Sequence, residues 1–340
     1  MRIGVIGLGF MGTTHLKAWR QVPDATITAV CSDEPEKLSG DLSAVQGNLG
    51  DSDDQKFDFS QMGRYTTTED IFADPNVDAV DICLPTHLHS SVAMQALRAG
   101  KHTFVEKPMA LNGAAADEML EVAKTSGKLL MVGQVLRFFP AYRAMADEIA
   151  TGNYGQVRSV LMRRRCAAPF WNQWLGDASR SGGGVFDLLI HDVDFSVHMF
   201  GVPQSVSATG HENLSGGIDT MNATLLYGNG TSVVITGGWH HKKAYPFSME
   251  FTVVADGGTF EFNSARGSGV TLYTAEGEAR ELALPEGDAF AKELAYFVEC
   301  CKSGQRPAMC PPEESAQSVK LFRCLLKARE ANGDRLTCSL

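Results

Sequence analysis

The stretch GGGVFDLLIHDVDFSVHMF, residues 182–200, is apolar enough to be buried. Asp187, His191, Asp194 and His198 nevertheless interrupt it at i, i+4, i+7 and i+11. On an α-helix these four fall on one face. Leu188, Leu189, Ile190, Val193 and Val197 take the other sides, the reverse of an ordinary surface helix. Ionisable groups are costly to bury unless paired. The stripe therefore points to a polar cavity or, more blandly, to a face turned to solvent. An imidazole titrates near pH ~6.5 and suits general acid–base work. A carboxylate one turn earlier, about 6 Å along the axis, could orient it. A metal is the competing chemistry, since Asp187/His191 or Asp194/His198 each offer two ligands at helical spacing. No H-E-x-x-H pattern and no obvious third ligand accompany them, so no metal is expected. His198 reads as structural, and His211, His240 and His241 as ordinary.

A second chemical signal is GLGFMG, residues 7–12, which fits G-x-G-x-x-G between an apolar strand and a helix. Gly7 permits a tight turn, Gly9 lets backbone N–H groups reach a pyrophosphate, and Gly12 lets helix and strand pack closely. Phe10 and Met11 complete the turn, and the helix N-terminus favours the anion. An acidic residue about twenty positions on usually binds the ribose 2′-hydroxyl of NAD. Ser32 stands at that position and Asp33 follows it. A serine tolerates a 2′-phosphate, which Lys37 could reach, whereas Asp33 would repel one. NAD is expected, with NADP left open.

The elements that must carry these residues can be read from the whole chain. Its 340 residues suggest about two domains. A net charge of −10 and no basic run longer than Arg163–Arg165 argue against nucleic-acid binding. No apolar run is long enough to span a membrane. The N-terminus reads directly as strand and turn, without the cleavage site of a signal peptide. Eight scattered cysteines without a CxxC pair read as reduced thiols, and the expected location is the cytoplasm.

Strand-like runs at 2–6, 26–31, 79–84, 102–106 and 129–133 alternate with helical patterns at 12–22, 35–46, 88–98 and 112–126. Such alternation predicts a parallel sheet covered on both faces. Residues 47–63, acidic and without period, read as a mobile surface insertion. Beyond a helix near 140–151 and a strand at 156–166, consecutive strand-like runs between 204 and 284 predict a largely antiparallel sheet. Helices at 288–302 and 312–331 close the chain. The fold class is thus α/β. An N-terminal Rossmann doubly wound parallel sheet (1–136) precedes an α+β domain with an open, mostly antiparallel sheet (137–340).

Together with Gly7–Gly12 and the striped helix, the segment DICLPTHLHSSVAMQALRAGKHTFVEKPMAL (81–111) resembles the Gfo/Idh/MocA oxidoreductase family over nearly the whole chain. The resemblance implies hydride transfer between a nicotinamide cofactor and a secondary alcohol of a sugar, cyclitol or related polyol. Lys107 matches the family's catalytic lysine in E-K-P, with Glu106 beside it and a cis Lys107–Pro108 bond. Asp187 and His191 match its D-x-x-x-H pair. DLLIHDVD is similar to the inositol dehydrogenase version, in which Asp194 also contacts substrate. Pro85, Thr86 and His89 match the loop beside the nicotinamide. Arg137, in RFFP, fits an R-F-x-P motif and is expected among the substrate-binding residues, and Tyr245, in KKAYPF, matches loosely a substrate-contacting tyrosine. Homodimers or homotetramers through the open sheet are the implied assembly.

Trp171 and Trp174 flank the loop before the striped helix and suit either sugar stacking or core packing. Two alternatives stay open at this point. One is a glycoside hydrolase using NAD transiently, without net NADH. The other is a non-catalytic dinucleotide-sensing regulator.

Overall fold

A computed structural model describes residues 1–47, 55–169 and 173–340. In chain order these begin with β1 (Arg2–Ile6), α1 (Phe10–Trp19), β2 (Thr26–Cys31), β3 (Gly63–Tyr65), α2 (Thr68–Ala73), β4 (Ala79–Ile82), α3 (Thr86–Arg98), β5 (His102–Glu106), α4 (Gly113–Ser126) and β6 (Leu130–Gly133). There follow α5 (Pro140–Ala150), β7 (Val157–Ala167), α6 (Ala178–Ser181), α7 (Gly184–Phe200), β8 (Ser205–Asn213), β9 (Ile218–Leu226), β10 (Ser232–His241) and β11 (Ser248–Ala255). Then come β12 (Gly258–Asn263), β13 (Val270–Thr274), β14 (Ala279–Glu281), α8 (Ala289–Ser303), α9 (Pro312–Glu330) and β15 (Leu336–Thr337).

The chain forms two compact units, residues 1–135 with 287–316, and residues 136–286 with 317–340. The sequence reading drew one boundary at 136/137. In the structure, residues 287–316, which carry α8, cluster with the first unit.

In the first unit six strands lie in the order β3-β2-β1-β4-β5-β6, all parallel. That is the doubly wound dinucleotide-binding order, which reverses direction between β1 and β4. β-branched and aromatic residues build the strands. Ile3, Val5, Val30, Val80, Ile82, Phe104 and Val105 are almost fully buried, as expected of a sheet covered on both faces. α8 contributes Phe297, edge-on to Phe104 with ring centroids 5.5 Å apart.

Three details differ from the sequence reading. The helix expected over 35–46 is a short 3-10 turn, Pro35–Ser39, ended by Gly40 at φ +91°. A Cβ at Gly40 would lie 1.9 Å from the Phe57 carbonyl oxygen, so the chain turns away there. β3 and α2 were not foreseen. Thr67 caps α2 by accepting from the Asp70 N–H at 3.3 Å. Of the expected insertion 47–63, residues 48–54 lie outside the described residues. The rest is largely at the surface but tied down: Lys56 bridges to Asp41, and Phe59 is buried at 2% exposure.

The second unit is built on nine strands in the order β14-β13-β12-β11-β7-β10-β9-β8-β15. Among the described residues only β7/β10 is parallel; the other pairings are antiparallel. α7 packs on β10, β9 and β7. Gly184 opens it against Trp239, where a Cβ would come within 2.6 Å of the indole. The Asp219 carboxylate of β9 accepts from the Val185 N–H at 2.9 Å, capping the helix, and Arg329 of α9 donates to its other oxygen at 2.6 Å. An anion at a helix N-terminus is favoured by the unsatisfied N–H groups there.

Candidate active site

In the first unit the expected cofactor residues collect at the carboxyl ends of β1, β2, β4 and β5. Gly7 has φ +93° and donates its N–H to the Cys31 carbonyl at 2.9 Å. A Cβ on Gly12 would lie 1.8 Å from the Gly7 oxygen, so only glycine allows α1 to sit this close to the strand. Gly9 is different: a Cβ there would meet nothing within 4 Å. It is the N-cap of α1; among the described residues no side chain caps the helix, and no acidic residue occupies its first turn. Half-buried Phe10 and Met11 form that turn. Open space before unshielded helix N–H groups fits the pyrophosphate of a dinucleotide.

At the end of β2, Ser32 is buried and its Oγ accepts from the Glu34 N–H at 3.2 Å. Asp33 is exposed. Lys37 forms an ion pair with Glu34.

Pro85 is half-buried and caps α3, whose first residue, Thr86, is buried. His89 spans two loops. Its Nδ1 lies 2.7 Å from the Pro108 oxygen and its Nε2 2.6 Å from the Leu84 oxygen. Burial pushes this imidazole below its ordinary value, against the opposing pull of the two carbonyls. The ring thus joins the loop after β4 to the loop after β5, where Lys107 stands half-buried before a cis Lys107–Pro108 peptide. The Lys107 N–H donates to Glu106 Oε2 at 3.0 Å.

In the second unit Asp187 and His191 share one face of α7, one turn apart, and both are half-buried. Asp194 lies deeper, at 1% exposure, with both carboxylate oxygens engaged. Arg137 Nε donates to Oδ2 at 2.9 Å and Arg137 Nη2 to Oδ1 at 2.8 Å, with Ser318 Oγ on Oδ1 at 3.1 Å. Two residues expected to touch substrate, Arg137 and Asp194, therefore form a bidentate buried pair with each other. His198 is half-buried, 6.3 Å from the Phe195 ring. Tyr245 stacks on His241 with centroids 3.7 Å apart. Trp174 is half-buried; Trp171 lies outside the described residues.

Several residues went unnoticed in the sequence. Asp192, fully buried on α7, pairs with Arg164 at 2.8 and 3.0 Å. Asp219 and Arg329 anchor the start of the same helix. His15 on α1 lies beside Asp81 and Glu106. The signal available for the first was a second aspartate in HDVD together with the arginine run of β7; the others leave no local signature.

Residues 1–134 match a domain family described as an oxidoreductase family with an NAD-binding Rossmann fold. Residues 142–261 match the GFO/IDH/MocA C-terminal domain. A myo-inositol 2-dehydrogenase of Thermotoga maritima is 27% identical over 91% of this chain and 90% of its own. The scyllo-inositol 2-dehydrogenase (NAD(+)) of Bacillus subtilis is 26% identical over 90% and 88%. Among solved structures, an aldose-aldose oxidoreductase of Caulobacter crescentus superposes with a TM-score of 0.84 at 21% identity, covering 99% of both chains. A levoglucosan dehydrogenase in complex with NADH and levoglucosan does so at 0.84 and 19%, covering 100% of both. The structural likenesses speak for the fold alone. The two domain families, matched in order along the chain, show that it belongs to the Gfo/Idh/MocA family of NAD-binding oxidoreductases.

Proposed function

We propose that the protein is a dehydrogenase that oxidises a secondary alcohol of a sugar, cyclitol or related polyol, with Lys107, His191 and Asp187 as its catalytic residues. One observation carries the reading. The glycine turn, the Pro85–His89 segment and Glu106–Lys107 stand together at the carboxyl ends of β1, β4 and β5, where the strand order reverses and ligands bind in such sheets. The two inositol dehydrogenases that match most of the chain support the substrate class.

Alcohol oxidation separates a hydride from a proton. NAD, when bound at Gly7–Gly12, supplies the hydride acceptor. The chain must handle the proton and the charge left on oxygen. His191 takes the hydroxyl proton, and Asp187, one turn earlier, orients its ring or holds a neighbouring hydroxyl. Lys107 supplies a cation that stabilises developing alkoxide charge. Asp33, exposed after β2, would repel a 2′-phosphate and so favours NAD. The assembly we propose is a homodimer or homotetramer through the open face of the nine-stranded sheet, which exposes Leu161, Val254 and Tyr273. Sedimentation of the wild type tests the assembly, and a monomer would contradict it.

The test of the chemistry is Lys107→Ala, assayed with NAD and with NADP against a panel of inositols and aldoses. Turnover should vanish while NAD binding persists. Undiminished turnover would overturn the assignment.

A further inference from the structure

Behind the glycine turn lies a charged cluster inside the sheet. His15 follows Gly12 by three positions on α1 and is completely buried. Its Nδ1 lies 2.9 and 3.1 Å from the two carboxylate oxygens of Asp81, a residue of β4 that is itself fully buried. On the other side, Nε2 faces Glu106 Oε1 at 2.9 Å, an ionic contact off the hydrogen-bond axis. Trp19 Nε1 donates to Asp81 Oδ2 at 2.7 Å. Cys83 Sγ lies 3.3 Å from His15 Nδ1 and 3.4 Å from Asp81 Oδ1. The rings of Phe104 and Phe290 close the pocket, with centroids 5.7 and 5.8 Å from the imidazole. His15, Asp81 and Cys83 are types that ligate metals, and they are close enough to do so. Their separations, with an indole N–H already on Asp81, are those of hydrogen bonds.

The ring's protonation follows from this geometry. A neutral imidazole donates through one nitrogen and carries a lone pair on the other. Here each nitrogen faces a carboxylate, so a neutral ring would set a lone pair against a buried anion. The imidazolium hydrogen-bonds Asp81 through Nδ1 and turns a positive edge to Glu106, instead of a lone pair. Burial alone would push His15 down, but the Asp81 carboxylate and Cys83 beside it hold it well above the ordinary histidine value.

Glu106 links this cluster to the reacting end of the sheet. Its Oε1 faces His15, and its Oε2 accepts the backbone N–H of Lys107. We infer that His15 is a positioning residue for Lys107: the buried imidazolium holds the Glu106 carboxylate in place, and Glu106 in turn fixes the Lys107 backbone. The inference rests on the catalytic reading of Lys107. It adds a role for the helix that follows the glycine turn, through a residue that touches neither substrate nor cofactor. Removing the cation would disfavour the charged form of a buried carboxylate. Without it the Glu106 carboxylate would lose its ionic partner and weaken its hold on the Lys107 N–H.

The test is a double-mutant cycle of His15→Gln and Glu106→Gln, read as kcat against pH with the fastest of myo-inositol, scyllo-inositol and D-glucose. H15Q should lower kcat roughly tenfold at the acid end and recover as pH rises, an added acid limb. NAD affinity should stay within about threefold. H15Q/E106Q should lose that limb and turn over no more slowly than E106Q. An H15Q profile that superposes on the wild type, or the same limb in the double variant, would overturn the inference.

A readout that needs no turnover is the ¹⁵N spectrum of histidine-labelled wild type, in which both His15 nitrogens should be protonated at pH ~8. A neutral ring there would also overturn it. If H15Q does not fold, E106Q serves as the second variant, because loss of the Glu106 charge should bring the His15 titration down in the same spectra; an unmoved His15 contradicts the coupling. Lys107→Ala separates the two levels. Full turnover in K107A defeats the catalytic reading itself. A dead K107A beside an additive cycle defeats only the role of His15.

Discussion

The Arg137–Asp194 pair allows the sharpest test of which stripe residues act on substrate. Resemblance assigns both residues to substrate, whereas the structure joins them by two N–H···O bonds at 1% exposure each. Asp194→Asn keeps the shape but removes the carboxylate facing a buried guanidinium. Removing one partner of a buried pair costs about 3–5 kcal/mol, and the Ser318 hydroxyl loses a charged acceptor as well. For a unit of this size each kcal/mol lowers the melting temperature by about 2–4 °C, so D194N should melt roughly 6–20 °C below the wild type. The double variant R137M/D194L replaces both charges with apolar groups and should regain most of that loss, because the desolvation cost of both charges disappears together. Thermal and urea denaturation followed by circular dichroism supply the stabilities; KM is measured well below the melting range. D194N within about 1 kcal/mol of the wild type, together with a tenfold higher KM, would refute the structural reading and return Asp194 to the substrate.

Three other outcomes follow from the geometry. Gly9→Ala meets no protein atom within 4 Å and should melt like the wild type while losing at least ~10-fold in NAD affinity by calorimetry, whereas Gly12→Ala, with its Cβ 1.8 Å from the Gly7 oxygen, should lose both affinity and stability. His15 is held above the ordinary 6.5, so its stabilisation is present in full below that pH and lost as pH rises through the folded-state value; His89 lies below 6.5, so its contribution is present above that pH and lost as pH falls. Urea midpoints across pH should therefore fall at both ends, with H15Q flattening the alkaline arm and His89→Gln the acid arm; unchanged arms would contradict the assignments. Asp219→Asn leaves an amide oxygen that can still cap α7 but removes the carboxylate facing Arg329, and should cost about 3 kcal/mol or more in urea denaturation; a loss under ~1 kcal/mol would contradict it.

What could be read from the chain alone was what neighbouring residues determine. The glycine turn, the strand before it and the E-K-P segment lie within short windows, and each stands at a strand end as anticipated. The helix over 184–200 was equally plain, since apolar and ionisable residues separate at helical spacing. Spacing places residues on a face but does not give depth. Asp187 and His191 stay half-buried while Asp194, on the same stripe, is sealed under Arg137, fifty-seven positions away. The His15–Asp81–Glu106 cluster was illegible for the same reason: α1, β4 and β5 bring it together, and no local pattern joins them. The short edge strand β3 and α2 escaped notice because they follow a polar, glycine-containing run that masked their period.

The central claim is tested most directly with a polyol deuterated at the reacting carbinol carbon, mixed in a single turnover with the NAD complex of wild type and of Lys107→Ala. The account predicts reduced nicotinamide carrying the deuterium from the wild type, and none from K107A although its NAD remains bound. Equal deuterium transfer by both proteins would contradict it.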